Sequence, residues 1–323
     1  MLTKIDTENG IVSIIVPLRN AEHYISDTLV SILREKQIQI EVIVVNDKST
    51  DGSVARVLEF SDKRIRVIEG PGRGAAAAMN AGFAEARGEI VMHCDADDLY
   101  PEGRIRRQVA WLSGNPQYAA MCGLFSTIDS KSRPVSDLPC AGESAEITGE
   151  LRDGVVRTSL GTYAIRRGLL DTVGGFREYF ESSYDIDMQL RLCEVGRIAY
   201  VPEIFYVWRL HASSITHQQS NAMVEFFEQT ALDFQMQRRT SGSDDLQRGS
   251  PPSKPKDELS IAVSANAHIQ GILLGRAWRE HAAGQKAKAL ATGLRAFAAN
   301  PSDFTLLRSL VALAFKRAGG KRN

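Results

Sequence analysis

Residues 88–98, GEIVMHCDADD, constrain this chain more than any other stretch, because an apolar run stops abruptly at three carboxylates. Ile90, Val91, Met92 and Cys94 suit a buried strand. Asp95, Asp97 and Asp98 do not, since an unpaired charge in a dry interior carries a heavy desolvation cost. In an open parallel sheet, ligands bind beyond the carboxyl ends of the strands. Oxygen ligands gathered at such an edge suit a hard divalent cation, and that cation suits a phosphorylated ligand. The stretch therefore points to a metal–phosphate site at a strand end.

The flanking sequence supplies the sheet. Residues 12–16 read as a strand entering Pro17, after which Ala21, Ile25, Leu29, Ile32 and Leu33 recur on one helical face. Residues 41–45 form the near-continuous apolar run of a buried parallel strand, ending at NDKSTDGS, a turn rich in helix-capping residues. Next come a helix to about residue 60, a strand at 65–68 and a glycine-opened helix at about 74–86. The carboxylate strand follows, and Pro101 starts a helix that runs through Trp111. This alternation predicts an α/β fold with a doubly wound, mostly parallel sheet. Residues 118–170 are less regular, with a strand at 119–128 and a loop near 134–146. Beyond Gly174-Gly175 the pattern predicts a helix at about 185–194 and strands near 198–201 and 205–210.

A chain of 323 residues exceeds one typical domain. We divide it into a domain at 1–220, a connecting helix at 221–240, a flexible linker at 241–257 (SGSDDLQRGSPPSKPKD) and an all-helical extension at 258–323. The extension reads as helices at 258–282, 285–299 and 302–318, with a tetratricopeptide-like hairpin as one reading of the pair. Leu290, Leu294 and Phe297 are expected to form a buried stripe, and Phe304, Leu307, Leu310 and Val311 to pack on the preceding hairpin. Residues 1–220 hold 24 Lys+Arg against 30 Asp+Glu, whereas residues 221–323 hold 15 against 9. An acidic front argues against nucleic acid as the partner. The basic tail reads as a solvated helix face, with peripheral contact to an anionic membrane or a protein as the other reading. Cys94, Cys122, Cys140 and Cys193 lack CxxC spacing, which suits a reducing compartment. The start MLTKIDTENG lacks the apolar centre of a signal peptide, and no apolar run approaches the ~20 residues of a membrane span. The expectation is a cytoplasmic protein.

Five stretches carry a resemblance: VSIIVPLRNAEHYI, EVIVVNDKSTDGS, GRGAAAAMNAGFAEARGEI, DADDLYPEGR and GGFREYFESSYDIDMQLRL. In order and approximate spacing, residues 11–220 resemble the family 2 glycosyltransferases of the GT-A (nucleotide-diphospho-sugar transferase) fold. The resemblance implies that Pro17 and Arg19 lie along the base and ribose of a nucleotide-diphosphate donor. It implies that Asp47 accepts a hydrogen bond from the base, that Arg73 faces the donor, and that Asp95 and Ala96 lie toward the ribose. Asp97, with His211, would hold Mg²⁺ or Mn²⁺ on the diphosphate, and Asp185 would be the general base. Asp98 is expected to cap the following turn. Asp187 stands ~200° around the helix from Asp185 and is expected to serve structure.

Each site residue also has a plainer local reading: a strand-to-helix turn at 17–20, helix caps at Asp47 and Asp185, and a loop hydrogen-bonder at His211. The chain departs from the family pattern at Arg19, Asn46, Lys48 and Tyr184, where a tyrosine, an acid, a small residue and a glutamate are usual. The implied activity is inverting, metal-dependent transfer of a sugar, from a UDP-sugar, to a hydroxyl of a saccharide or lipid-linked acceptor. Its setting would be polysaccharide, glycan or glycolipid synthesis of the cell envelope, at the inner membrane face. Two other readings stand beside it. One is a non-catalytic nucleotide-sugar binder with a partner-recruiting tail. The other is an NAD-dependent dehydrogenase, since GPGRGA at 70–75 fits G-x-G-x-x-[GA].

Overall fold

The structure, a computed structural model, describes residues 10–136, 143–214, 221–255 and 264–316. Cys140 lies outside the described residues. The first half alternates β1 (Ile11–Leu18), α1 (Ile25–Leu33), β2 (Gln39–Asn46), α2 (Ser53–Leu58), β3 (Ile65–Glu69), α3 (Ala75–Glu85), β4 (Ile90–His93) and α4 (Arg104–Gly114). There follow β5 (Ala120–Asp129), β6 (Pro134–Ser136), β7 (Ala145–Glu146), α5 (Thr148–Arg152), β8 (Ala164–Arg166), α6 (Arg167–Val173), α7 (Tyr184–Val195) and β9 (Ile198–Leu210). Four helices close the sequence: α8 (Asn221–Ser241), α9 (Ala265–Ala282), α10 (Lys286–Ala299) and α11 (Leu306–Phe315).

The strands form one sheet in the order β3-β2-β1-β4-β8-β5-β9-β7, with β6 paired to β5. Pairs β3–β2, β2–β1 and β1–β4 are parallel, while β8 pairs antiparallel with both β4 and β5. The sheet is thus mixed, with its parallel part in the first four strands as the alternation predicts. From β1 the chain winds outward through β2 and β3, then returns to place β4 on the other side of β1. That reversal creates a crevice beyond the carboxyl ends of β1 and β4, where α/β sheets bind ligands.

Both faces of the sheet are covered. Ile14, Val16 and Leu18 of β1 pack with Ile25 and Leu29 of α1 and with Ile105 and Val109 of α4. Ile15, on the opposite face, packs with Ala78 and Met79 of α3 and with Met188 and Leu192 of α7. The run AAAAMNAG in α3 lets that helix approach closely, since a Cβ on Gly82 would stand 2.4 Å from the Ile15 side chain. Crowding at that distance forces the helix off the sheet.

The described residues group into two compact units. The first draws on Met1–Phe125, Pro139–Trp208 and Ala222–Lys256; the second on Ser126–Leu138, Arg209–Asn221 and Asp257–Asn323. The second unit is therefore more than the helical tail, because β6 and the end of β9 group with α9–α11. Within it, α9 packs against β6, and the Arg295 guanidinium donates to the Pro134 carbonyl at 2.7 Å.

Three sequence expectations are corrected. The segment expected to be a flexible linker is anchored through residue 255: Asp244 is fully buried, accepting from Arg177 at 2.7 Å and Arg238 at 2.6 Å. The Tyr179 hydroxyl donates to the Pro252 carbonyl, and Lys254 pairs with Glu181. Polar composition resembles disorder, but here the polar groups have partners. In α10 the buried face is made of Ala289, Thr292, Gly293 and Ala296, while Leu294 is exposed. Small residues face inward because α11 comes close: a Cβ on Gly293 would stand 2.8 Å from Leu310. On α11, Leu306, Leu310 and Leu313 are buried, whereas Phe304, Leu307 and Val311 do not pack inward as expected and are exposed.

Candidate active site

The acidic turn sits at the carboxyl end of β4, beside the end of β1. Cys94 donates its N–H to the Ile15 carbonyl at 3.0 Å, the last rung before the chain turns. The Asp98 N–H then donates to the Asp95 carbonyl at 3.1 Å, closing the turn. Helix α1 supports it from below, with the Thr28 hydroxyl donating to the Ala96 carbonyl at 2.9 Å. Asp98 and Ala96 are buried, while Asp95 and Asp97 are half-buried. Asp98 thus belongs to the support, not to the ligand edge.

Tyr206, far along the chain, orients this turn: its hydroxyl accepts the Asp95 N–H at 3.0 Å. The Tyr206 ring lies edge-on to Tyr100, whose hydroxyl donates to the His93 carbonyl at 2.7 Å. Beneath both rings lies Arg104, with 1% exposure, its guanidinium 3.9 Å from the Tyr100 centroid and 5.5 Å from that of Tyr206. It donates to the Gly161 and Tyr163 carbonyls. A guanidinium buried beneath these rings supplies a fixed positive charge in low dielectric, felt by Cys94 and His93 at the end of β4. Burial, with the charge of Arg104, pushes the neighbouring His93 imidazole down to about 3, so it stays neutral.

Asp185 lies in the first turn of α7, whose N-cap Ser183 has a φ of 56°. Burial raises its pKa, opposed by N–H groups of the helix start at Ile186 and Asp185 itself, and reinforced by the charge of Glu228. Asp95 registers the convergence: burial first, then the charges of Asp97 and Asp185, lift its pKa to about 7. The turn after β4 and the start of α7 thus lie within electrostatic reach of each other. Tyr184, in the position where the family usually has a glutamate, packs edge-on to Phe176 at 6.0 Å. Burial raises its hydroxyl pKa, and the charges of Asp95, Asp185 and Asp97 add to that rise. Asp187, on the far side of α7, is fully buried, with Arg191 at 2.9 Å and Arg177 at 3.7 Å. It serves structure, as its helical phase predicts.

The other residues expected on the donor side lie at the end of β1 or in the turns after β1, β2 and β3. Pro17 is the penultimate residue of β1, paired with Val45, and Arg19 is exposed just beyond the strand. Asn20 ties that turn to the turn after β2: its side-chain oxygen accepts from the Thr50 N–H at 2.8 Å. Asp47 is 2% exposed, and its two carboxylate oxygens accept from the Gly72 N–H at 2.6 Å and the Gly74 N–H at 3.0 Å. It therefore staples the glycine turn after β3 and does not cap α2, whose N-cap is Gly52. Arg73, held between those two glycines, pairs across to Glu178 at 3.0 Å. Asn80 of α3 completes the framework by bonding Phe176 twice, at 2.7 and 2.8 Å, which fixes the segment leading toward α7. His211 falls in the second unit, where its Nδ1 lies 2.8 Å from the Ser213 hydroxyl.

Among the described residues, no three His, Cys, Asp or Glu side chains form a group able to hold a metal ion alone. Magnesium commonly takes only one or two carboxylates, completing its shell with water and substrate phosphates. Asp97 meets that requirement, and a cation would relieve the repulsion that lifts the Asp95 pKa. The residues present fit such an ion.

The sequence model of Glycosyl transferase family 2 matches residues 13–180, more than half of the chain. The chain belongs to glycosyl transferase family 2. This family membership sets aside the dehydrogenase reading of GPGRGA, and the sheet agrees, because those glycines follow β3 at the sheet edge instead of β1 at its centre. An uncharacterised glycosyltransferase of Rickettsia prowazekii is 28% identical over 224 residues, 67% of this chain and 69% of that protein. The UDP-Glc:alpha-D-GlcNAc-diphosphoundecaprenol beta-1,3-glucosyltransferase WfgD of Escherichia coli is 34% identical over 126 residues, 39% of this chain and 49% of that protein. In fold, the chain is similar to S. aureus TarS 1-349 in complex with UDP, with a TM-score of 0.56 and 18% identity over 94% of this chain and 87% of that one. TarS 1-349 has also been solved with UDP-GlcNAc. This family 2 glycosyltransferase thus has its helical region, α9–α11, beyond the matched segment.

Sequence reasoning missed Tyr206, Arg104 and Asn80 as framework residues. YVWRLHASS and DLYPEGR hold two of them, yet nothing local in either says that an aromatic hydroxyl will reach the acidic turn or that a guanidinium will lie buried beneath its ring.

Proposed function

We propose that this glycosyltransferase moves a sugar, with inversion, from a UDP-sugar to an acceptor hydroxyl on a glycan or a lipid-linked saccharide. The observation that carries this reading is the acidic turn at the carboxyl end of β4, where the charges of Asp97 and Asp185 both act on Asp95. UDP as the carrier is supported by the UDP and UDP-GlcNAc complexes of TarS and by the UDP-Glc donor of WfgD.

Asp185 is the base. It must be ionised to take the acceptor proton, and burial makes it a stronger base than an ordinary carboxylate once ionised. The N–H groups at the start of α7 keep it oriented as it changes charge. The acceptor oxygen, losing its proton to Asp185, attacks the anomeric carbon while the bond from that carbon to the diphosphate breaks. One displacement inverts the centre. Asp95 and Ala96 lie along the ribose, Pro17, Arg19 and Asp47 near the base, and Arg73 on the diphosphate side. Asp97 would hold Mg²⁺ or Mn²⁺, which when bound would offset the charge of the departing diphosphate.

UDP release is measured with a panel of UDP-sugars and acceptors, with and without Mn²⁺. Asp185→Asn is expected to abolish transfer while keeping donor affinity, and Asp97→Ala to lose the metal-dependent part of donor binding. Wild-type turnover by Asp185→Asn would remove Asp185 from the mechanism. Donor binding without transfer, across the panel, would favour a nucleotide-sugar binding protein.

A further inference from the structure

Helix α11, LLRSLVALAF, carries one charge, Arg308, in ten residues. A helix that is apolar all round is ordinarily buried all round, but among the described residues α11 is covered on one side only. Leu306, Leu310 and Leu313 face α9 and α10. Phe304, in the turn entering the helix, and Leu307, Val311 and Phe315 follow at steps of three, four and four residues, which aligns them on one face. They are 69%, 44%, 58% and 83% exposed. Exposed large side chains are common singly, but a continuous stripe marks an interaction surface.

Charge identifies the occupant. Residues 264–323 hold ten Lys+Arg against two Asp+Glu, Glu280 and Asp303. Glu280 is already neutralised by Arg276 at 2.9 Å and Lys288 at 3.6 Å. A second copy meeting it through the same face would bring the same positive charge to the contact and be repelled. An apolar helical face set in a strongly basic unit is the combination that binds the headgroup and acyl boundary of anionic bilayers. We propose that the exposed face of α11 docks onto an anionic lipid surface, Phe304, Leu307, Val311 and Phe315 entering the boundary while Arg308, Lys316 and neighbouring cations meet the headgroups. This attachment is peripheral, since no helix among the described residues is long and apolar enough to cross a membrane. It does not depend on the chemistry assigned to the acidic site.

The test is co-sedimentation of the full chain with vesicles of phosphatidylcholine, with and without phosphatidylglycerol. Binding is expected only where phosphatidylglycerol is present and is expected to weaken as salt rises. The double variant Leu307→Glu/Val311→Glu is expected to lower the bound fraction at least about tenfold, because apolar contact and charge both contribute. Phe315→Ser, at the most exposed position, is expected to weaken binding several-fold and guards against misfolding of the double variant, whose fold is checked by circular dichroism. UDP release with a water-soluble acceptor should be unchanged in both, which separates failure here from failure of the transfer mechanism. Equal binding to neutral vesicles, or no binding by the wild type, overturns the proposal. So does an oligomer or an acidic-protein complex that the double variant disperses while vesicle binding is absent.

Discussion

Asp95→Asn removes the most strongly perturbed carboxyl of the site, and its effect on stability follows from the structure. The Asp95 pKa lies at about 7 against an ordinary 3.8, lifted by burial and by the charges of Asp97 and Asp185. A tenfold change in an equilibrium is worth about 1.4 kcal/mol, so ionising Asp95 in the ligand-free site costs on the order of 4 kcal/mol. The native carboxyl keeps its proton over a range where the unfolded chain has released it. Its contribution to stability is therefore complete below 3.8 and is lost as pH rises through about 7. Asparagine cannot ionise and escapes that loss. In chelator, the variant and the wild type should be similarly stable at acid pH. Above neutrality the variant should be more stable by about 2–4 kcal/mol, the lower figure applying if the proton is shared with Asp97 or Asp185. Urea unfolding at several pH values measures this, in a Trp278→Phe background so that fluorescence reports Trp111 and Trp208 of the first unit. Parallel stability–pH curves for the two proteins would refute the claim that these carboxylates share one desolvated site. A positive result would show a site that gives up stability for binding, as functional sites often do.

Two further substitutions test the framework. Asp47→Ala frees the Gly72 and Gly74 N–H groups that its carboxylate holds, so it should cost about 1–3 kcal/mol in thermal or urea unfolding and raise the donor KM more than it lowers kcat; unchanged stability with lost donor binding would make Asp47 a direct ligand only. Asp244→Ala leaves the partly buried guanidiniums of Arg177 and Arg238 without their shared carboxylate and should cost about 3–5 kcal/mol in urea unfolding; a change near zero would mean that the segment after α8 does not help to hold the first unit together.

Local periodicity is enough to place most elements of this chain. Strands β1–β4 and helices α1–α4 are legible because each buries one face, and a strand's period of two or a helix's of 3.6 is written in neighbouring residues. The boundary Asp95 makes with β4 is legible for the same reason: a charged residue cannot continue a buried strand. Even the separate fates of Asp185 and Asp187 follow from helical phase alone. The same local cues mislead at the linker and at α10, where a distant partner intervenes. Asp244 looks solvated until Arg177, 67 positions earlier, is brought to it. Leu294 looks buried until the close approach of α11 gives the inner face to Gly293 and Ala296.

What the amino-acid order determined unaided is the class of fold, the family and the strand whose end carries the acids, since these rest on periodicity and on motifs read along the chain. Only the tertiary structure decided that Tyr206 orients Asp95, that Arg104 lies beneath its ring, that Asp47 spends both oxygens on the glycine turn, and that the described residues leave one face of α11 uncovered. The physical reason is that a side chain's protonation, partner and exposure depend on which groups surround it in space. For Asp95 and Tyr206 those groups lie 111 positions apart, beyond the reach of any local pattern.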